Sequence, residues 1–266
     1  MDRVFTKTWL FIGHESQLSE PGDYLTNFMG EDPVIATRGA DGVIRVMLNS
    51  CAHRGMAVCS TDAGSSKFFR CPPYHGWTYS NNGDLIGVPR ADTVYNGELD
   101  KSRLGLKIVP RVENYKGFIF ANWDMDAIPL VDYLGADQLW YLDLAFEAPL
   151  GGLEVIGPPT MKFRIKANWK LAAENFAGDD YHVLYTHGSA FQIGFLPPDY
   201  DMLADYIAHF DHGHGMGDIS KPGRAYQNDV GMAQFLGPEA IEYVNAVHER
   251  LKARVSPAAG GDARAR

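Results

Sequence analysis

Two cysteine–histidine pairs are the residues of this sequence best suited to chemistry. Cys51 and His53 are separated by one residue, and Cys71 and His75 by three residues. Each pair lies near glycine or proline residues that favour turns, so two opposed loops could supply four ligands. Two thiolates and two imidazoles suit either a tetrahedral zinc ion or a [2Fe–2S] cluster, and the spacing alone leaves both open.

A second set of polar residues lies between Asn175 and His187. A helix is predicted over residues 168–186, which are rich in Ala, Leu, Lys and Glu. It would place Asn175, Asp179 and His182 on one face, and its apolar neighbours predict partial burial. His187 follows His182 by five residues, so the imidazoles can meet at one ion only if the helix bends or ends near residues 186–188. The alternative is a core helix with two hydrogen-bonded histidines.

The cysteine–histidine pairs lie in a segment, residues 9–123, that reads as short strands and tight turns. Glycine-containing turns at residues 39–42 and 81–84 predict two hairpins. This half of the chain is therefore predicted to be a small antiparallel β domain. Its predicted strands are residues 9–13, 33–37, 43–48, 77–79, 85–87, 106–109 and 117–121.

The composition changes after about residue 126. A helix is predicted over residues 131–144, and a half-buried strand over residues 161–165 leads into the histidine-containing segment. Residues 238–255 predict an amphipathic helix with proline in its first turn. The last residues, 256–266, are small and polar and predict a disordered tail.

Composition limits the possible partners and compartment. The chain has 266 residues and a formal net charge of −9, which argues against nucleic acid or an anionic membrane surface as a partner. It has no long apolar run and no signal-peptide core, so we expect a soluble, cytoplasmic protein. Three cysteines do not make a disulfide framework. Cys59 has no partner histidine in the pattern, and we expect it to be a small buried hydrophobe.

Three motifs carry a family resemblance: CxHRG at residues 51–55, YHGW at 74–77 and ENFxGDxYHxxxxH at 174–187. In combination they resemble the large (α) subunit of Rieske non-haem iron aromatic-ring-hydroxylating dioxygenases, closest to the naphthalene and polycyclic-aromatic type. The resemblance extends from the first residues to about Gly217. One departure is that the family usually has two residues between the second cysteine and histidine, as in Cys-Pro-Tyr-His, whereas the two prolines Pro72 and Pro73 make it three here.

The resemblance implies an α+β fold with two parts. A small antiparallel β Rieske domain is expected at residues 8–125. An incomplete helix-grip-like catalytic domain with an antiparallel sheet is expected from residues 1–7 and 126–255. Family α subunits are substantially longer than this chain, so the resemblance predicts a C-terminally truncated α subunit.

The resemblance also assigns cofactors and site residues. Cys51, His53, Cys71 and His75 are expected to bind the [2Fe–2S] cluster. The residues expected to serve the mononuclear non-haem Fe(II) are the ligands His182 and His187, the catalytic residues Asp179 and Asn175, and the substrate-pocket residues Phe176 and Val183. Asp179 would bridge to the cluster histidine of a neighbouring subunit, equivalent to His75. No aspartate after His187 carries a motif for the third iron ligand, so we nominate none.

The implied function is that of a terminal oxygenase that cis-dihydroxylates an aromatic hydrocarbon with O2. Electrons would come from a ferredoxin and a reductase, with NADH as the distant reductant. A small (β) subunit and contacts between α subunits are implied partners, and neither nucleic acid nor a membrane is expected. Two alternatives stay open: a truncated, non-catalytic Rieske cluster protein, and a Rieske monooxygenase or demethylase.

Overall fold

The computed structural model describes residues 3–72, 74–146, 153–156, 162–179, 182–193 and 206–218. The chain divides into two compact units, one of residues 1–133 and 152–163 and the other of residues 134–151 and 164–266. The domain boundaries expected at residues 8, 125 and 255 stay a prediction, because a division by packing does not define them. The predicted helix at 238–255 and tail at 256–266 lie outside the described residues.

The first unit contains three small sheets, with strand orders β4-β3-β2-β5, β6-β7-β8 and β1-β10-β9. Every strand pair among the described residues is antiparallel. Together with the helices of the chain this confirms the α+β class. The strands are β1 Leu10–His14, β2 Asp23–Met29, β3 Asp32–Arg38, β4 Ile44–Leu48, β5 Ala63–Ser65, β6 Phe68–Arg70, β7 Thr78–Ser80, β8 Leu85–Gly87, β9 Arg111–Tyr115 and β10 Phe118–Asn122.

Both predicted hairpins form. β3 pairs with β4 from Val34↔Leu48 to Arg38↔Ile44, and β7 pairs with β8. Their turns contain Gly42 at φ +79° and Gly83 at φ +94°, values that favour glycine because it has no Cβ. Short apolar runs on either side of a glycine-containing turn were therefore sufficient to locate these hairpins.

The predicted strand at residues 106–109 is wrong as a regular strand. Met47 and Ile108 form only an isolated bridge, although Leu48 N–H donates to Lys107 O and Val109 N–H to Val46 O. Pro110 follows directly and has no N–H to continue the pairing. β2 was not predicted, because its sequence mixes polar and apolar residues without a clear pattern. Two of its side chains, Leu25 and Met29, are buried.

The two loops that carry the expected cluster ligands pack on the larger buried cluster of this unit. Cys59 belongs to this cluster and is 9% exposed, as expected for a small buried hydrophobe. The cluster therefore holds all three cysteines of the chain. Its members are Ile35, Met47, Cys51, Val58, Cys59, Phe69, Cys71, Trp77, Tyr79, Leu85 and Leu106.

The helices of the chain are short apart from one. The predicted helix at 131–144 is confirmed, but Gly135 (φ +76°, ψ 158°) interrupts its helical backbone. None of the helices in the described part of the chain is long and apolar enough to cross a bilayer. The elements are α1 Ala91–Val94, α2 Leu130–Phe146, α3 Trp169–Ala177, α4 His182–Thr186, α5 Gly188–Gln192, β11 Tyr206–His209 and β12 Gly215–Asp218, with 3-10 turns at Glu15–Leu18, Lys101–Arg103 and Asp211–Gly213.

Two predictions around the histidine-containing segment are wrong. Residues 162–165 form no strand, and they are exposed. Lys162 instead reaches the carbonyl of Thr26 (2.8 Å) and the carboxylate of Asp62 (3.1 Å). The expected burial of the segment is also wrong, because Leu171 and Phe176 are 63% and 84% exposed. Apolar composition predicted burial here, but burial also requires a neighbouring element to cover the helix.

Candidate iron centres

In the first unit, the two loops that carry the expected cluster ligands place His53 beside His75, and each loop buries its cysteine. The His53 and His75 rings lie 4.6 Å apart between centroids, nearly perpendicular. Cys51 and Cys71 belong to the same buried cluster. The cysteines are buried and His75 is exposed, so the thiols face the core while the imidazole edge faces solvent.

The first loop is held by its own backbone and by a buried asparagine. Cys51 N–H donates to Met56 O and Gly55 N–H donates to Cys51 O, both at 2.8 Å. Asn49 is 6% exposed. Its side chain donates to Cys59 O (2.7 Å) and accepts from Cys59 N–H (3.0 Å). These bonds fix the path of the loop after β4. Asn49 lies outside the three motifs and was not predicted to support the loop.

The second loop closes despite its additional residue. Cys71 N–H donates to Trp77 O at 2.8 Å, which ties the two ends of the loop together. Gly76 has φ +63°, and a Cβ there would lie 3.0 Å from Arg70 Nε. Pro73 itself lies outside the described residues. The insertion therefore does not separate His75 from His53.

Two side chains that follow the second loop contact the ligands of the first. The Trp77 ring stacks on the His53 imidazole at 4.9 Å between centroids with an interplanar angle of 14°. The Tyr79 hydroxyl lies 3.2 Å from Cys51 Sγ and accepts from Ala52 N–H at 3.1 Å. Trp77 belongs to a motif noted in the sequence, whereas Tyr79 was missed because no local signal links it to Cys51.

The protonation of these ligands suits a metal-binding role. Partial burial lowers the pKa of His53, and the neighbouring His75 and Arg54 lower it further. This favours the neutral imidazole, which is the form that binds a metal. Burial, followed by the neighbouring Cys51, raises the pKa of Cys71 to about 11. The thiol is thus protonated at neutral pH, and metal binding must displace its proton.

The second candidate centre lies where the predicted continuous helix is broken. Asn175, Asp179 and His182 were predicted to share one face of a continuous helix. This is wrong, because α3 ends at Ala177 and α4 begins at His182. The expected break near residues 186–188 is confirmed, since His187 lies between α4 and α5. The His182 and His187 rings are consequently 5.3 Å apart between centroids.

One histidine of this pair has a defined tautomer. His182 Nδ1 lies 2.6 Å from the backbone carbonyl oxygen of Asp179, whereas the Asp179 carboxylate oxygen Oδ2 is 3.5 Å away. A carbonyl only accepts, so Nδ1 carries the proton and Nε2 keeps its lone pair for a metal. The backbone of Asp179, rather than its carboxylate, therefore sets this tautomer.

The other expected residues of the second centre are less well placed. Asn175 and Phe176 are exposed on α3. The side chain of Val183 lies outside the described residues. Among the described residues no group of three or more His, Cys, Asp or Glu side chains is arranged to hold one metal ion. Among these residues the second candidate centre has two histidines, His182 and His187.

Comparison with known proteins identifies both parts of the chain. A model of the Rieske [2Fe-2S] domain matches residues 8–110, and a model of the ring hydroxylating alpha subunit (catalytic domain) matches residues 134–252. The chain is 44% identical over 269 residues to the large oxygenase component of the naphthalene 1,2-dioxygenase system of Pseudomonas putida, covering 99% of this chain and 57% of that relative.

A second relative and a solved structure are also similar. The chain is 43% identical over 217 residues to the N,N-dimethyl phenylurea N-demethylase subunit alpha of Sphingobium sp. (strain YBL2), covering 81% of this chain and 47% of the relative. A naphthalene 1,2-dioxygenase variant bound to phenanthrene superimposes with a TM-score of 0.79 at 42% identity, covering 95% of this chain and 56% of that chain. The chain thus spans about half the length of these relatives.

Proposed function

Since the chain belongs to the large (α) subunits of the Rieske non-haem iron aromatic-ring-hydroxylating dioxygenases, we propose that it serves a terminal oxygenase that cis-dihydroxylates an aromatic hydrocarbon. The overall reaction adds both atoms of O2 to the ring and consumes two electrons and two protons. The convergence of two cysteines and two histidines from opposed loops carries this proposal, because that donor set suits the family's electron-carrying cluster.

The proposed cluster ligands are Cys51, His53, Cys71 and His75. When bound, a [2Fe–2S] cluster with two histidine ligands supplies one electron at a time, at a higher potential than an all-cysteine cluster. The protein contributes the orientation of the ligands. The stack of Trp77 on His53 fixes one imidazole plane, and the surrounding apolar cluster keeps water from the thiols.

The proposed ligands of the mononuclear iron are His182 and His187. Such an iron supplies open positions at which O2 is activated beside the substrate. Asp179 holds His182 through its backbone carbonyl. We assign its carboxylate side chain, which is 38% exposed, as the contact to the cluster histidine of a neighbouring subunit. Asn175, Phe176 and Val183 complete the proposal as residues near the iron and the apolar substrate.

The proposed partners follow from the same assignment. A ferredoxin and a reductase would deliver electrons from NADH, and a small (β) subunit and further α subunits would complete the oligomer. The large oxygenase component of a dioxygenase system is a relative of this chain, which supports a multi-component enzyme. Free cysteines suited to metal binding support a cytoplasmic location.

An isotope experiment tests the proposal. The protein, combined with a ferredoxin, a reductase and NADH, is given naphthalene under ¹⁸O₂, and we expect a cis-dihydrodiol that carries two labelled oxygen atoms. His187→Ala should reduce this product to background, because it removes an iron ligand. His212→Ala, which changes an exposed histidine in the Asp211–Gly213 turn, is the matched control and should leave the yield unchanged. A normal cluster spectrum with no oxygenated product would instead support the non-catalytic cluster protein.

N-demethylation is the second candidate function, and the similarity to an N-demethylase subunit favours it. Hydroxylation of an N-methyl group places one atom of O2 in the released formaldehyde and the other in water. The same labelled reaction with an N,N-dimethyl phenylurea distinguishes the two functions. Formaldehyde and the N-monomethyl phenylurea, without a cis-dihydrodiol from naphthalene, would overturn dioxygenation.

A further inference from the structure

The end of α3 determines where the carbonyl that orients His182 lies. α3 ends at Ala177, and Gly178 N–H donates to Glu174 O at 2.9 Å, which closes the last turn of the helix. Two residues after Ala177, the Asp179 carbonyl oxygen lies 2.6 Å from His182 Nδ1. A hydrogen bond weakens steeply when its geometry is distorted. The bond to His182 therefore requires that the end of α3 is held in place.

The β11–β12 hairpin packs against the end of α3 at Gly215, the first residue of β12. A Cβ at Gly215 would lie 2.6 Å from the carbonyl oxygen of Ala177 and 3.4 Å from the Ala177 Cβ. The shorter distance is too small for a carbon beside an oxygen, so only glycine allows this approach. The φ of Gly215 lies outside the left-handed region, so its backbone conformation does not itself require glycine. The contact with α3 accounts for a glycine at this position.

The hairpin that carries Gly215 has its own attachment to another helix. β11 and β12 pair up to His209↔Gly215, and Phe210 N–H donates to His214 O at 2.9 Å beyond the last pair. The Phe210 ring packs on Tyr141 of α2, with 5.7 Å between the ring centroids. Because the hairpin is anchored in this way, it can act as a fixed support for the end of α3.

We propose that Gly215 is a positioning residue of the mononuclear iron site. It lets the hairpin support the end of α3, which holds the Asp179 carbonyl against His182 Nδ1 and keeps the Nε2 lone pair available for a metal. A methyl group at residue 215 would displace the Ala177 carbonyl, and the Asp179 carbonyl would move with it. This inference rests on the proposed assignment of His182 as an iron ligand.

Gly215→Ala tests this role, with the tautomer of His182 as the first measurement. Before Fe(II) is added to the cluster-containing protein, long-range ¹H–¹⁵N NMR of ¹⁵N-labelled histidine distinguishes a proton on Nδ1 from one on Nε2. His182→Gln identifies the signals. The unmodified protein should carry the proton on Nδ1, whereas Gly215→Ala should show a mixture of tautomers, because Nδ1 has lost its acceptor. An unchanged tautomer in Gly215→Ala would overturn the inference.

Iron affinity is the second measurement. The dissociation constant of Fe(II) should rise by roughly 10- to 100-fold in Gly215→Ala, the usual effect of losing a hydrogen-bonding partner of a metal-bound histidine. The electron paramagnetic resonance (EPR) signal of the reduced cluster should not change. An unchanged dissociation constant would contradict a role of Gly215 in the iron site. If the unmodified protein binds no Fe(II), the proposed iron site is overturned instead, and the NMR result still decides whether Gly215 orients His182.

Gly213→Ala is the matched control. Gly213 lies in the turn of the same hairpin at φ +80°, and an added Cβ there has nothing within 4 Å. This substitution strains the hairpin without touching α3. It should lower the thermal stability but leave the His182 tautomer and the Fe(II) dissociation constant unchanged. Equal effects of Gly213→Ala and Gly215→Ala on the tautomer would show that only hairpin folding matters, and would overturn the inference.

A second variant covers the case in which Gly215→Ala does not fold. Phe210→Leu keeps Gly215 and removes the aromatic packing of the hairpin on Tyr141. A less firmly attached hairpin should loosen the end of α3, so we expect a mixture of His182 tautomers and weaker Fe(II) binding. An unchanged tautomer in folded Phe210→Leu protein would contradict the role of the hairpin in positioning His182.

Discussion

At the scale of single residues, the two histidine pairs are oriented by different means. Aromatic stacking on Trp77 orients His53, whereas a backbone carbonyl orients His182. A carbonyl survives any side-chain substitution at its own residue. The Asp179 side chain can therefore be changed without changing the tautomer of His182.

Asp179→Ala is expected to separate metal binding from electron transfer. The cluster spectrum and the mononuclear iron should both be retained, because the His182 ligand geometry depends on the backbone of residue 179. Product formation coupled to NADH should fall by roughly 10- to 100-fold, the usual effect on activity of losing a hydrogen-bonding partner of a metal-bound histidine, here the cluster histidine of the neighbouring subunit. EPR measures the cluster, iron analysis measures the mononuclear iron, and the product yield measures coupled turnover.

His182→Ala is the contrasting variant in this experiment. It removes a proposed ligand and should lose the mononuclear iron while the cluster is kept. Near-normal turnover of Asp179→Ala would remove its carboxylate from the electron path, and loss of its iron would show that the side chain also supports the metal site.

The ligands and their supporting residues were not equally predictable. Cys51, His53, Cys71 and His75 could be proposed from residue type and spacing alone. Tyr79 could not, because its contact with Cys51 joins residues 28 positions apart through the pairing of β7 with its neighbours. Hydrogen bonds of this kind leave no periodic pattern in the sequence.

At the scale of elements, the geometry of the turn between β9 and β10 explains why residue 117 is a glycine. Lys116 and Gly117 both have positive φ, at 49° and 90°, as a two-residue hairpin turn of type I′ requires. A Cβ at Gly117 would also overlap the imidazole of His14, which is only 4% exposed and cannot move into solvent. A side chain at residue 117 would therefore be disfavoured both by the positive φ and by overlap with His14.

Gly117→Ala should destabilise the first unit by roughly 2–4 kcal/mol, since an unfavourable φ and overpacking each cost about 1–3 kcal/mol. Thermal unfolding followed by loss of the visible cluster absorbance measures the effect. Gly97→Ala is the control, because Gly97 also has a positive φ (73°) but has nothing within 4 Å of an added Cβ. Equal losses of Tm in the two variants would show that the contact with His14 does not matter.

Element boundaries were predictable where local signals were strong. The β3–β4 hairpin follows from two apolar runs separated by a glycine-containing turn. The end of α3 does not, because the sequence from Asn168 to Thr186 favours helix throughout apart from Gly178, and isolated glycines occur inside helices. The break matters, because it sets the backbone carbonyl of Asp179 against His182.

At the scale of the whole molecule, the chain combines a cluster-binding unit with part of a catalytic unit. It spans 57% of the length of its naphthalene dioxygenase relative. The four proposed cluster ligands all belong to the described residues of one unit. The mononuclear site has two described histidines, and its third ligand is a carboxylate in the usual arrangement of such sites. Cluster binding is therefore the property on which the rest of the proposed function depends.

The most direct test is the EPR spectrum of the reduced protein, recorded with an iron count. We predict a Rieske-type signal and about two irons per chain from the cluster, or about three when the mononuclear site is filled. Cys71→Ser should abolish the signal. Cys59→Ser, which changes the third buried cysteine, should keep it. A colourless, zinc-containing protein without this signal, or a signal lost in Cys59→Ser and kept in Cys71→Ser, would contradict the account.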